Sequence, residues 1–158
     1  MSSRNCATSY KLEKTVSADE SRSVKFKGLK TGKSYKAKVR PWKTVKGKKK
    51  YMGTSPAVHA FAGGSSKKRT NTETVTADVE KLKLKVGEDY TLSIETELTN
   101  PELDPEVHVR ELRYYTTDRN VATVSSKGVI EAKGVGTCKV YILASNGVRT
   151  HVWVTVKN

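Results

Sequence analysis

The residue types that most often carry catalysis are present in this sequence but are not arranged for it. His59, His108 and His151 have no cysteine or carboxylate at the spacing of a metal site. No Gly-x-Ser-x-Gly motif marks a nucleophilic serine. The glycine-rich run at residues 63–67 lacks the spacing of a phosphate-binding loop. We therefore expect surface or packed histidines, no cofactor and no enzymatic activity.

Carboxylates form a second pattern. Pairs such as Glu95 and Glu97 fall on the solvent face of a predicted strand, where a two-carboxylate glycosidase site would have no pocket. The loop carrying Glu102, Asp104 and Glu106 offers the oxygen ligands that Ca²⁺ binds. These three are the candidate metal ligands, although a solvated acidic loop is the interpretation we favour.

A third pattern is a run of cations flanked by aromatic residues. Lysines beside exposed rings can hold phosphate while the rings stack on bases. Lys and Arg also recur at alternate positions over residues 36–40, which is typical of an outward, lysine-protected strand face. We favour the second interpretation, so nucleic acid is an alternative partner and not the expected one. The candidate contact residues are Trp42, Lys46, Lys48, Lys49, Lys50 and Tyr51.

Exposed tryptophans would be the contacts of an accessory carbohydrate-binding module. Trp42 and Trp153 are the first candidates. Trp153 lies between Val152 and Val154 in the last predicted strand, so we predict that it packs inside the protein.

The elements that must position these residues differ between the two halves of the chain. The 158 residues carry a net charge of +14, and 35% are hydrophobic, which argues against a large core. Residues 1–70 hold 19 cations and 3 acidic residues, whereas residues 71–158 hold 11 and 13. This difference in net charge predicts two units, at 1–63 and 75–158, joined by a flexible Gly/Ser-rich linker at 64–74.

Other features limit the class of protein. Cys6 and Cys138 lie one in each half, so no disulfide framework or zinc site is predicted. No apolar run is long enough for a membrane span. The first residues have no apolar stretch after a basic start, so this chain is not expected to carry a signal peptide.

The second half alternates apolar and polar residues in seven short runs separated by turns, which predicts a two-sheet sandwich. Asn146 and Gly147 mark a hairpin between the last two strands. Gly128, Gly134 and Gly136 are expected at turns or close backbone approaches. The predicted core comprises Tyr90, Ile94, Tyr114, Val124, Ile130, Val140, Ile142, Val152 and Val154.

Two motifs in this half carry a family resemblance. They are Lys85-Val-Gly-Glu-Asp-Tyr-Thr-Leu92 and the stretch from the turn Thr116-Thr-Asp118 through Val121-Ala-Thr-Val124 and Gly128-Val129 to Gly134-Val-Gly-Thr137. Residues 75–158 resemble the bacterial immunoglobulin-like domain, group 2. Tyr114 departs from the family's usual tryptophan, and the loop at 99–106 is longer and more acidic than expected.

The first half resembles a fibronectin type III domain over residues 8–62. The carrying residues are Leu29-Lys-Thr-Gly-Lys-Ser-Tyr-Lys-Ala-Lys-Val39 and Arg40-Pro-Trp42. The resemblance implies that the Tyr35 hydroxyl bonds to nearby backbone. Strands are predicted at 9–16, 23–26, 35–42 and 57–61, with a hairpin tip at 46–50. Since a full sandwich has about seven strands, this half is incomplete.

The expected fold class is therefore all-β, an immunoglobulin-like sandwich preceded by an incomplete fibronectin type III-like sandwich. The resemblances imply a non-catalytic spacer or adhesion module of a longer bacterial surface or secreted protein. Its expected partners are a cell-wall polymer, a host glycan or protein, and neighbouring domains. The alternatives are an accessory carbohydrate-binding module of a secreted hydrolase and a basic nucleic-acid-binding protein.

Overall fold

The computed structural model describes residues 10–12, 14–17, 19, 23–105 and 112–158. In these residues the regular structure is entirely β, which confirms the all-β class. The first part holds β1 (Ser34–Ala37), β2 (Trp42–Val45), β3 (Lys48–Tyr51) and β4 (Val58–Phe61). The remaining strands are β5 (Arg69–Thr70), β6 (Thr72–Ala77), β7 (Lys81–Lys85), β8 (Asp89–Thr91), β9 (Ile94–Leu98), β10 (Asp104–Pro105), β11 (Arg113–Thr116), β12 (Ala122–Val124), β13 (Val129–Ala132), β14 (Gly136–Leu143) and β15 (Arg149–Lys157).

Two sheets of the second half enclose one apolar core. The larger has the order β11-β14-β15-β7, and the smaller has the order β12-β13-β8. The strands β14 and β15 form an antiparallel hairpin around the predicted Asn146-Gly147 turn, while β15 pairs in parallel with β7. Inward side chains of both sheets belong to a single buried cluster, so the two sheets form an immunoglobulin-like sandwich.

The period-two pattern placed the core correctly. Ile130, Val140, Ile142, Val152 and Val154 are fully buried. The other predicted members (Tyr90, Ile94, Tyr114 and Val124) are partly buried and pack against this cluster. Leu82 and Leu84 join it from β7, while the alternating lysines of that strand face outward.

The first part differs from its predicted strands. The described residues of 9–16 and 23–26 are not in strands, and Tyr10 lies instead against the ammonium groups of Lys36 and Lys38. The predicted strand at 35–42 is divided into β1 and β2, because Pro41 lacks the amide that a ladder needs. The Tyr35 prediction is confirmed, since the Lys30 amide donates to its hydroxyl at 2.9 Å.

The predicted linker also differs from the structure, in which it packs against both parts of the chain. It contains β5 and the start of β6, and Thr70 is fully buried. The Thr70 hydroxyl accepts a hydrogen bond from the Asn100 amide at 3.1 Å. A polar composition predicted flexibility, but these short polar side chains satisfy the surrounding backbone and hold the segment in place.

Candidate binding surfaces

The basic cluster predicted from the sequence forms one structural unit. A two-residue loop with positive φ at Lys46 and Gly47 connects β2 to β3, as in a type I′ hairpin. Trp42 stands directly opposite Tyr51 in the ladder. We call residues 42–51 the basic hairpin.

The rings of the basic hairpin are already covered by cations. The Lys49 ammonium lies 4.3 Å from the Trp42 ring centroid, and the Arg40 guanidinium lies 4.1 Å from that of Tyr51. Such contacts stabilise the hairpin by about 0.5–1 kcal/mol each at exposed sites. Base stacking on either ring would have to displace a cation, which weakens the nucleic-acid interpretation.

A second surface was not predicted. The outward side chains of β11, β14 and β15 form a row of rings that runs across the larger sheet, and we call it the aromatic row. Tyr115 stacks on Tyr141 with centroids 5.1 Å apart, and Tyr141 contacts His151 at 5.5 Å. The row ends at Trp153, whose ring meets His151 edge-on at 6.1 Å.

The prediction that Trp153 packs inside the protein is wrong. Its side chain is 40% exposed, because Val152 and Val154 take the inward positions of β15. The Lys139 ammonium lies 4.3 Å from its ring centroid. The strict alternation of β15 was the signal that could have placed Trp153 outside.

The acidic loop is only partly described. Asp104 pairs with Arg69 at 3.5 Å, and the Glu102 amide donates to Asn100 Oδ1 at 3.0 Å. Glu106 and His108 lie outside the described residues. Among the residues that the structure describes, no group of three His, Cys, Asp or Glu side chains is placed to hold a metal ion. The calcium hypothesis stays a prediction.

The two parts of the chain meet at a hydrogen-bonded junction. The Asn71 side chain bonds both backbone groups of Phe61, and we call this pair of bonds the Asn71 clasp. Its Oδ1 accepts from the Phe61 amide at 2.8 Å, and its Nδ2 donates to the Phe61 carbonyl at 3.0 Å. From the larger sheet, the Arg113 guanidinium donates to the Ala57 carbonyl at 3.0 Å. The Ser145 carbonyl accepts from the His59 amide at 2.8 Å. Strand β4 and the residue that precedes it, Ala57, are thereby tied to three separated segments of the second half.

Comparisons with known proteins do not identify a family for this chain. No family model and no curated protein matches this chain, so the two family resemblances stay predictions. A solved structure, that of the surface layer protein SbsC, domains 1–6, is similar at 15% identity and a TM-score of 0.46. The similarity covers 65% of this chain and 14% of that one, so this chain matches only a small part of the SbsC structure. The described residues include no helix that could cross a membrane.

Proposed function

We propose that this chain is a non-catalytic spacer module of a bacterial cell-surface or secreted protein. The observation that carries the proposal is the junction, in which β4 is bonded to Asn71 and Ser145, and Ala57, the residue before β4, is bonded to Arg113. A spacer must hold its neighbours at a fixed separation, and a fixed angle between consecutive units supplies this. A flexible Gly/Ser linker would leave the angle free.

The bonds of the junction suit that role because they involve backbone groups on the β4 side. Backbone donors and acceptors have fixed positions within a strand, so each bond constrains orientation as well as distance. Net stabilisation is about 0.5–1.5 kcal/mol for each such bond, and about 1.5–3 kcal/mol where the donor is a guanidinium. Together they are sufficient to favour one orientation strongly over free rotation.

The localisation and the partners belong to the same proposal. The resemblances to bacterial surface modules support a place outside the cell, in a longer protein with neighbouring domains. Adhesion to a glycan or a protein would then be a function of the exposed faces, whereas the spacing function belongs to the junction.

A distance measurement between spin labels tests the spacer proposal. Labels are attached at Ser34→Cys in β1 and Lys127→Cys before β13, in a chain that carries Cys6→Ser; the buried Cys138 stays in place. We expect one narrow distance distribution. The double variant Asn71→Ala, Arg113→Gln should broaden it, because it removes bonds from two sides of β4.

The matched control is Asn100→Ala, Arg119→Gln, which changes the same residue types outside the junction. Its distribution should stay narrow. A broad distribution in the protein without junction substitutions would contradict the proposal, as would equal broadening in both double variants.

A further inference from the structure

The outward face of the larger sheet is cationic although its half of the chain is slightly acidic. The strands β7, β11, β14 and β15, all within the described residues, contain no Asp or Glu. The thirteen acidic residues of 71–158 lie elsewhere in the sequence. The cations that share this face with the aromatic row are Lys81, Lys83, Lys85, Arg113, Lys139, Arg149 and Lys157.

The strand register brings these cations beside the exposed tryptophan. Trp153 is paired with Lys139 on one side and with Lys81 on the other. Two residues further along, Thr155 is paired with Thr137 and Lys83. An apolar ring, two hydroxyl groups and three ammonium groups therefore occupy two adjacent rows of the sheet.

A shallow depression lies at the same place. Its volume is about 370 Å³, and it is lined by Lys81, Leu82, Lys83, Thr137, Trp153 and Thr155. The Thr137 and Thr155 hydroxyl oxygens lie 3.4 Å apart within it.

We propose that this depression binds an acidic polysaccharide whose pyranose rings carry carboxylates. The apolar C–H face of a sugar packs on the Trp153 indole ring, which requires the Lys139 ammonium, 4.3 Å from the ring centroid, to move aside. Hydroxyl groups exchange hydrogen bonds with Thr137 and Thr155, and the carboxylate meets Lys81 and Lys83. The absence of acidic residues from the four strands supplies the charge complementarity.

The geometry favours this ligand over a single-stranded nucleic acid. Tyr115, Tyr141 and His151 contact one another through their rings, so they do not offer a series of free faces for successive bases. The depression is confined to six lining residues, whereas a nucleic-acid groove must follow an extended phosphate backbone. The site goes beyond the spacer role, because none of its residues belongs to the junction.

Titration calorimetry with a polygalacturonate oligomer tests the site. We expect saturable binding, and about tenfold weaker affinity for the variant Lys81→Gln, Lys83→Gln, which loses two charged contacts. Trp153→Ala should weaken binding at high salt as well, since stacking on the ring is not screened by ions. The same oligomer with methyl-esterified carboxylates should bind weakly.

The charge-matched control is Lys127→Gln, Lys133→Gln, which removes two lysines outside the larger sheet and should leave the affinity unchanged within about twofold. If the control lost as much affinity, binding would depend only on the net charge of the protein, and the proposal would be overturned. Three other results would also overturn the proposal. The first is a loss of affinity only in the basic-hairpin variant Lys48→Gln, Lys50→Gln. The others are tighter binding of an oligothymidylate of equal charge and no binding at millimolar polygalacturonate. None of these results would bear on the spacer proposal, which the spin-label distances test separately.

Discussion

Single side chains connect distant parts of the sandwich through polar contacts. Tyr90 donates its hydroxyl to Asp78 Oδ2 at 2.7 Å, and Asp78 Oδ1 accepts from the Ser93 amide at 3.1 Å. The pKa of the Tyr90 phenol is raised, chiefly because its proton is held by the Asp78 carboxylate, with smaller effects from burial and from the charge of that carboxylate. The folded state therefore favours the neutral phenol.

This contact predicts a loss of stability at high pH. A group whose pKa is raised on folding stabilises the protein below its unfolded pKa, here about 10, and that stabilisation is lost as the pH rises through the higher folded value. Tyr90→Phe should lower the free energy of unfolding near neutral pH, because it removes the hydrogen bond to Asp78. Urea unfolding from about pH 8 to about pH 11 should show this difference shrinking. A difference independent of pH would contradict the prediction.

The turn between β12 and β13 shows how one element depends on a glycine. Gly128 has φ of 79°, and a Cβ at this position would lie 3.2 Å from the Tyr114 ring. Burial of that ring raises the pKa of Tyr114. The glycine therefore satisfies a backbone requirement and a packing requirement together.

Gly128→Ala should destabilise the sandwich by about 2–3 kcal/mol, from backbone strain of about 1 kcal/mol and overpacking of about 1–2 kcal/mol. The matched variant is Gly87→Ala, where φ is 90° but no atom lies within 4 Å of the added Cβ. It should cost only the strain of about 1 kcal/mol. Chemical denaturation measures both values. Equal losses would show that contact with Tyr114 is not part of the cost.

Alternation predicted most strands of the sandwich, but not the elements held by single polar contacts. The single strand predicted over residues 90–98 is divided into β8, which pairs with β13, and β9, which pairs with β6. Because a strand has a period of two, the alternation predicts that the side chains of Leu82, Leu84 and Val152 face inward. Strand β6 was missed, since its polar start at Thr72 continues the Gly/Ser-rich segment. The aromatic row was missed because its members come from three strands, and only the register of those strands brings Tyr141 beside His151.

At the scale of the whole molecule, stability should be distributed unevenly. Of the described residues from 10 to 69, none is buried, whereas β14 and β15 hold fully buried side chains. The net charge of +16 on residues 1–70 adds self-repulsion to the part with the least apolar burial. The first part therefore depends on its bonds to the sandwich, of which the Asn71 clasp on Phe61 is the centre.

Residue-resolved amide hydrogen exchange tests this dependence most directly. We predict three levels of protection: slowest exchange in β14 and β15, intermediate exchange at the His59 and Phe61 amides, and fastest exchange in β2 and β3, because local opening there exposes no buried apolar surface. If the His59 and Phe61 amides exchanged as fast as the basic hairpin, the junction would not hold the two parts together. If residues 23–62 were as protected as β14 and β15, the first part would have a stable core of its own, which would also contradict the account.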